Sequence, residues 1–214
     1  MAADRAESPV TEGIRTLEVR WIFPGELETP VAGWFERFTA GTESREDAYL
    51  LQHLPGLSVK IRDGAALEVK VYRGSLGVLD VAGRARGRME SWQKWSFPCG
   101  EPGQGSGDAA GWRPLHKRRR IGRFSSVSET ALTHVPELGH KPGCAVELTE
   151  VLTDGEAWWT LAFEATGPAD LLRSELQATA EFVFAQALPG GVELGVTDSM
   201  SYAEWLWRRT ASPG

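Results

Sequence analysis

From Leu57 to Gly74, "LSVKIRDGAALEVKVYRG", apolar and polar side chains alternate on both sides of Asp63-Gly64. Two period-two runs around an Asp-Gly pair predict a β-hairpin. Its polar face carries Lys60 and Arg62 on one arm and Glu68 and Lys70 on the other. The same alternation recurs along the chain. "RTLEVRWIF" sets Leu17, Val19 and Trp21 against Glu18 and Arg20 and predicts a strand. "LGVLDVAGRA" predicts a further strand, and "MESWQKWSFP" carries two Trp and ends at Pro98. In "RPLHKRRRIGRFSSVSE", read as a strand, Lys117 and Arg119 face one way and Arg118 and Arg120 the other. "CAVELTEVL" and "WWTLAFEAT" read as a second hairpin around "TDGEA". On it Glu147 and Thr149 share a face, as do Thr160, Ala162 and Glu164.

Three stretches have helical spacing instead. "PVAGWFERFTA" brings Val31, Trp34, Phe35 and Phe38 to one side, with Pro30 near its start. "DLLRSELQATAEFVFAQAL" has a stripe of Leu172, Leu176, Thr179, Phe182 and Val183. "SYAEWLWRR" opens with Ser201 and has Glu204 three residues later, the pattern of a capping box. Residues 1–13 predict a flexible tail, and the Gly-rich "CGEPGQGSGDAAGW" predicts a flexible loop near 99–112, inserted within the fold. No repeat of solenoid period is present. The expectation is a single α+β domain over 14–210, built on antiparallel strands.

Composition narrows the function classes. The 214 residues suffice for one domain with a real core, and the net charge of −6 argues against a surface made for nucleic acid. Any basic site must be local. The two cysteines, Cys99 and Cys144, form no CxxC pair, which fits a reducing compartment better than a disulfide framework. The N-terminus has no apolar signal region and no run has the length of a membrane span. A cytoplasmic protein, monomer or homodimer, with neither nucleic acid nor membrane as partner is expected. The four histidines (His53, His116, His134 and His140) make no HExxH, and "GQGSG" lacks the Lys of a phosphate-binding loop.

Five or six of the strands share one property: an apolar row on one face and a few charges on the other. For any one strand that face simply meets water. If the sheet closes into a barrel, the charged rows converge inside it. Buried charges need partners, so such an interior is internally paired or filled by ions. Basic residues there hold phosphate oxygens, and carboxylates hold hard cations such as Mg²⁺ or Mn²⁺.

The order of these strands resembles the CYTH or triphosphate tunnel metalloenzyme superfamily. "TLEVRW" stands where that family has a first-strand Glu-x-Glu-x-Lys motif; "VKIR" and "LEVK" match its basic hairpin, "HKRR" its late Lys-x-Arg strand, "VELTEV" and "LAFEA" its acidic strands, and "SYAEWL" its closing helix. The likeness runs from about Thr16 to Arg208. It implies an eight-stranded antiparallel β-barrel, a tunnel, with flanking helices, binding a triphosphate or related substrate with Mg²⁺ or Mn²⁺. It also implies that Arg20, Lys60, Arg62, Lys70, Lys117 and Arg119 hold substrate, with Glu68 among them, and that Glu18, Glu147 and Glu164 are catalytic and ligate metal. In the first motif Thr16 replaces a Glu and Arg20 a Lys, which removes one carboxylate. Trp21, Trp95 and Trp159 flank these motifs and are expected as an aromatic wall, suited to a substrate with an organic tail. Three functions follow: a metal-dependent phosphohydrolase, a lyase or terpene-cyclase-type enzyme on a prenyl diphosphate, and a non-catalytic binder of a phosphorylated ligand.

Overall fold

Alternation of apolar and polar residues does fold this chain into strands, and the apolar rows lie outside the barrel those strands make. The computed structural model describes residues 13–39, 41–51, 54–99, 111–128, 131–135, 138 and 141–211. The tail over 1–12, the interior of the Gly-rich loop, His53 and His140 lie outside the described residues. The elements run β1 (Ile14–Pro24), α1 (Thr29–Phe35) with a 3₁₀ turn at Glu36–Phe38, β2 (Thr42–Leu50), β3 (Leu57–Arg62), β4 (Ala66–Val81), β5 (Ala85–Pro98), β6 (Trp112–Ser128), β7 (Ala131–His134), β8 (Gly143–Thr153), β9 (Glu156–Thr166), α2 (Leu172–Val183), a 3₁₀ turn at Val196–Asp198 and α3 (Tyr202–Ala211).

The strand order is β2-β3-β4-β5-β1-β9-β8-β6, and β2 pairs back onto β6 from Thr42↔Arg120 to Leu50↔Trp112, which closes an eight-stranded antiparallel barrel. The short β7 pairs with the end of β6. The expected α+β barrel with flanking helices is therefore the observed fold. At the predicted hairpin, Asp63 and Gly64 adopt positive φ (46° and 66°), as the tight turn requires. The separate strand expected at "LGVLDVAGRA" is instead the second half of β4. That strand runs on through irregular pairing between Tyr72 and Gly74 and between Ser75 and Val78, bulges of the kind that bend a strand round a barrel.

The main apolar core is sandwiched between barrel wall and helices. Leu17, Val19 and Trp21 of β1, Val146 and Leu148 of β8, and Leu161 and Phe163 of β9 point outward and meet Val31, Trp34 and Phe35 of α1 and Leu172, Leu176 and Val183 of α2. Gly87 allows this closeness, because a Cβ there would stand 2.5 Å from Val19 and 2.6 Å from Trp21. Of the stripe expected on α2, Phe182 is the exception at 48% exposed, and Glu175 and Ala180 share the buried side. A second apolar cluster, Ile22, Tyr49, Leu115, Val151, Tyr202, Trp205 and Leu206, seals one end of the barrel beneath α3. Only half of the capping box at that helix forms: Glu204 N–H donates to Ser201 Oγ at 3.2 Å, while the Glu204 carboxylate takes Arg88 at 2.6 Å. Among the described residues no helix is long and apolar enough to cross a membrane.

Candidate functional site: a charged cavity inside the barrel

Because the apolar rows face out, parity turns the charged rows inward. They enclose a cavity of about 330 Å³. Nine Lys and Arg side chains and five Glu line it, from all eight strands of the barrel, with Arg45 the contribution of β2. Asp47 sits fully buried behind that lining, so cations outnumber carboxylates by nine to six in a chain whose net charge is −6. Tyr202 and its apolar neighbours close one end. Ile14, Ile121, Leu138 and Arg123 line the other.

The charges divide into two walls. In the first, built by β6, β2, β3 and β4 with Lys94 of β5, two buried carboxylates anchor five cations. Asp47 Oδ2 accepts from Lys117 Nζ at 2.8 Å, Lys60 Nζ at 3.0 Å and Arg45 at 3.0 Å. Glu68, 1% exposed, pairs with Lys60 at 3.1 Å, with Arg62, and with Lys94 at 3.8 Å. Burial alone would raise the Asp47 carboxyl, but Lys117, Lys60 and Arg45 pull it well below the usual carboxylate range. With three cations on one carboxylate, burial pushes the Lys117 ammonium down. Lys117 also donates to the Tyr49 hydroxyl at 2.9 Å and lies 4.1 Å over the Tyr202 ring.

In the second wall, three carboxylates on β1, β9 and β8 face Arg20 of β1, Lys70 of β4 and Arg119 of β6. Lys70 Nζ bridges Glu18 at 2.7 Å and Glu164 at 3.3 Å. Glu147 takes Arg119, with Arg20 at 3.9 Å. Arg20 donates to Thr160 Oγ1 at 3.0 Å and stacks 4.3 Å over Tyr202. A hydroxyl two residues away completes two of these carboxylates: Thr16 donates to Glu18 and Thr149 to Glu147, each at 2.6 Å. Burial would raise Glu147 and Glu164; Arg119 and Arg20 hold the first well below its ordinary value, and Lys70 and Lys94 do so for the second. Glu90 differs. Burial pushes it up to about 6, against the pull of Arg88 and a 3.3 Å bond from Trp92 Nε1.

The structure brings Glu18, Arg20, Lys60, Arg62, Glu68, Lys70, Lys117, Arg119, Glu147 and Glu164 to this one cavity. Two expectations need correcting. The aromatic wall is elsewhere. Trp21 packs outside the barrel between Phe163 and Phe184, and Trp159 stacks on Phe23 at 4.4 Å in the same outer core. Trp95 lies on the outer face of β5 beside Gly13, and it is Trp92, of opposite parity, that lines the cavity. The metal expectation also fails its test of fit. Each of Glu18, Glu147 and Glu164 already has a Lys or Arg on it, and among the described residues no three His, Cys, Asp or Glu side chains are placed to hold a metal ion. Mg²⁺ and Mn²⁺ are held through carboxylate oxygens, and those of this wall are already taken by ammonium and guanidinium groups.

Several cavity residues escape a reading of the sequence. Asp47, Arg45 and Tyr49 sit on β2, whose outward row of Thr42, Ser44 and Glu46 is polar, so no apolar period marks the strand. Glu90 and Lys94 have only a weak signal, one apolar neighbour each in Met89 and Trp95, because Ser91 and Gln93 between them are polar. On the basic strand the outward residues are spent on the surface: Arg118 and Arg120 both pair with Glu150, at 3.6 and 2.7 Å. Cys144 lies in the outer core, where burial raises its thiol above the ordinary value.

No protein-family model matches the sequence, and no curated protein matches it. Solved structures do. The PH1819 protein from Pyrococcus horikoshii OT3 is 14% identical, with 90% of this chain and 99% of that one covered and a TM-score of 0.42. The mimivirus capping enzyme triphosphatase is 11% identical, with 78% of this chain and 89% of that one covered and a TM-score of 0.40. A second structure of the RNA triphosphatase domain of the mimivirus mRNA capping enzyme is 11% identical, over 79% and 88% of the two chains, with a TM-score of 0.37.

Proposed function

We propose that the barrel binds the phosphate groups of a triphosphate or an organic diphosphate and acts on them as a phosphohydrolase of the triphosphate tunnel type. One observation carries this reading: nine Lys and Arg side chains converge on a single cavity inside an acidic chain. Such a concentration of fixed cations in a water-poor interior selects a compact, multiply charged anion. Arg45, Lys60, Arg62, Lys94 and Lys117 hold the phosphate oxygens. The same cations neutralise the charge that develops as the phosphoryl group leaves for water, and this electrostatic contribution dominates phosphoryl transfer. Arg20, Lys70 and Arg119 keep the acidic wall neutral.

The open end, where three apolar side chains stand beside Arg123, favours an organic diphosphate among these ligands. Ile14, 51% exposed, stands there with Ile121 and Leu138, where a tail leaving the cavity would pass. A prenyl diphosphate lyase remains the second reading on that observation, without the aromatic wall first expected for it.

The test is release of phosphate and of pyrophosphate from tripolyphosphate, nucleoside triphosphates and prenyl diphosphates. Phosphate from the first two supports the hydrolase reading. Pyrophosphate from a prenyl substrate alone moves the protein to the lyase class. Release from none of them, with anion binding intact, makes the barrel a binding protein.

A further inference from the structure

We infer that the cavity takes its phosphate ligand as the free anion, with Lys70 standing where a divalent cation would otherwise bridge the acidic wall. The inference rests on the phosphate reading above and specifies the form in which that ligand is bound.

The acidic wall has the outline of a cation site and the chemistry of a closed one. Glu18 and Glu164 are register partners on adjacent strands, and their carboxylates converge. What they converge on is the Lys70 ammonium, 2.7 Å from one and 3.3 Å from the other. The third carboxylate, Glu147, is taken by Arg119. A divalent ion competes for such oxygens only by displacing a buried cation, and the displaced charge then lies in the cavity unpaired. The neighbouring positions add no charge to attract it. Two residues before Glu18 and two after Glu147, both facing inward, the chain has Thr16 and Thr149. Each spends its hydroxyl as a donor to the existing carboxylate, which uses up a lone pair that a metal would need. Fixed ammonium and guanidinium groups therefore neutralise this wall from within, and the cation excess of the opposite wall is left for the phosphates.

Two measurements decide the matter. The first is calorimetric titration of the full chain with pyrophosphate and with tripolyphosphate, in excess EDTA and in millimolar Mg²⁺. Binding in EDTA at least as tight as in Mg²⁺ is expected. Binding only with Mg²⁺, or tightened by about tenfold or more, overturns the inference while leaving the phosphate reading in place. Absence of anion binding in both buffers overturns the phosphate reading itself. The second is titration with Mn²⁺ alone, followed by the loss of the free-ion electron paramagnetic resonance signal. The natural chain is expected to take up none, and Lys70→Ala, which removes the cation shared by Glu18 and Glu164 and leaves only Lys94 at 3.8 Å from the latter, is expected to gain uptake. Micromolar Mn²⁺ binding by the natural chain, or a folded Lys70→Ala chain that still takes up none, overturns the role assigned to Lys70. Should Lys70→Ala fail to fold, the natural chain's two titrations still decide.

Discussion

The two walls of the cavity use the same side-chain types to opposite ends. On the β1, β9 and β8 side, Glu18, Glu147 and Glu164 meet three cations, with Lys70 shared between Glu18 and Glu164 and with Arg119 and Arg20 both on Glu147. On the β6, β2, β3 and β4 side, Asp47 and Glu68 hold Arg45, Lys60, Arg62, Lys94 and Lys117 between them. The acidic wall is balanced and the cation-rich wall carries an excess of three positive charges. Depth separates them too. Asp47 and Glu68 are almost wholly enclosed, whereas Glu18 and Glu164 keep 15% and 29% of their side chains accessible. Deep carboxylates here serve as anchors that allow five cations to be packed side by side. Repulsion among those cations is what an incoming anion relieves.

If Asp47 is such an anchor, its loss is the largest effect available. Asp47→Ala strands Lys60, Lys117 and Arg45 around an empty space and is expected to cost about 3–5 kcal/mol in urea unfolding. Glu18→Ala is expected to cost well under half of that, because Lys70 retains Glu164. Equal losses at the two sites would erase the distinction between the walls.

Next comes affinity. Lys94 is the most loosely tied cation of the set, 3.8 Å from both Glu68 and Glu164. Lys94→Ala is expected to weaken pyrophosphate binding about tenfold, with about 1 kcal/mol or less of stability lost. Calorimetry and unfolding on the same preparation check both halves. Unchanged affinity would mean that the phosphates lie elsewhere in the cavity.

The smallest effect concerns pH, and here the ion-paired carboxylates and Glu90 have opposite signs. Asp47, Glu147 and Glu164 are lowered in the fold. Their contribution to stability is present above the ordinary carboxylate range and is lost as pH falls below it. Glu90 is raised from 4.5 to about 6. The stability gained from its proton is full below 4.5 and is lost as pH rises through about 6. Glu90→Gln removes that loss, so the melting temperature of the natural chain should fall relative to the variant between those values. Its partial exposure limits the difference to about 1 kcal/mol. Parallel pH profiles for the two chains would mean that Glu90 titrates like a surface carboxylate.

Much of the barrel is legible in the sequence. Strands β1, β3, β8 and β9 and the helices announce themselves because an apolar row of period 2 or 3.6 survives in each, and β6 by its basic run between Leu115 and Ile121. β2 does not, because its outward residues 42, 44 and 46 lie where no helix covers them, so nothing selects apolar side chains. With β2 unseen, Asp47 was unseen. The tryptophans misled for a related reason. An indole beside a charged motif has the opposite parity to the charges, and in this fold opposite parity means the outer core.

The sequence by itself therefore determined which side chains share a face, because the two-residue period of a strand is local and admits no exception without a bulge. Tertiary structure alone decided which face is the inside. That choice depends on β2 pairing with β6, some 70 residues away in the chain, and on α1 and α2 covering the apolar rows from without. Closure turned rows that could have met water into a cavity, and it set Lys70 between two carboxylates whose strands carry no local sign of each other.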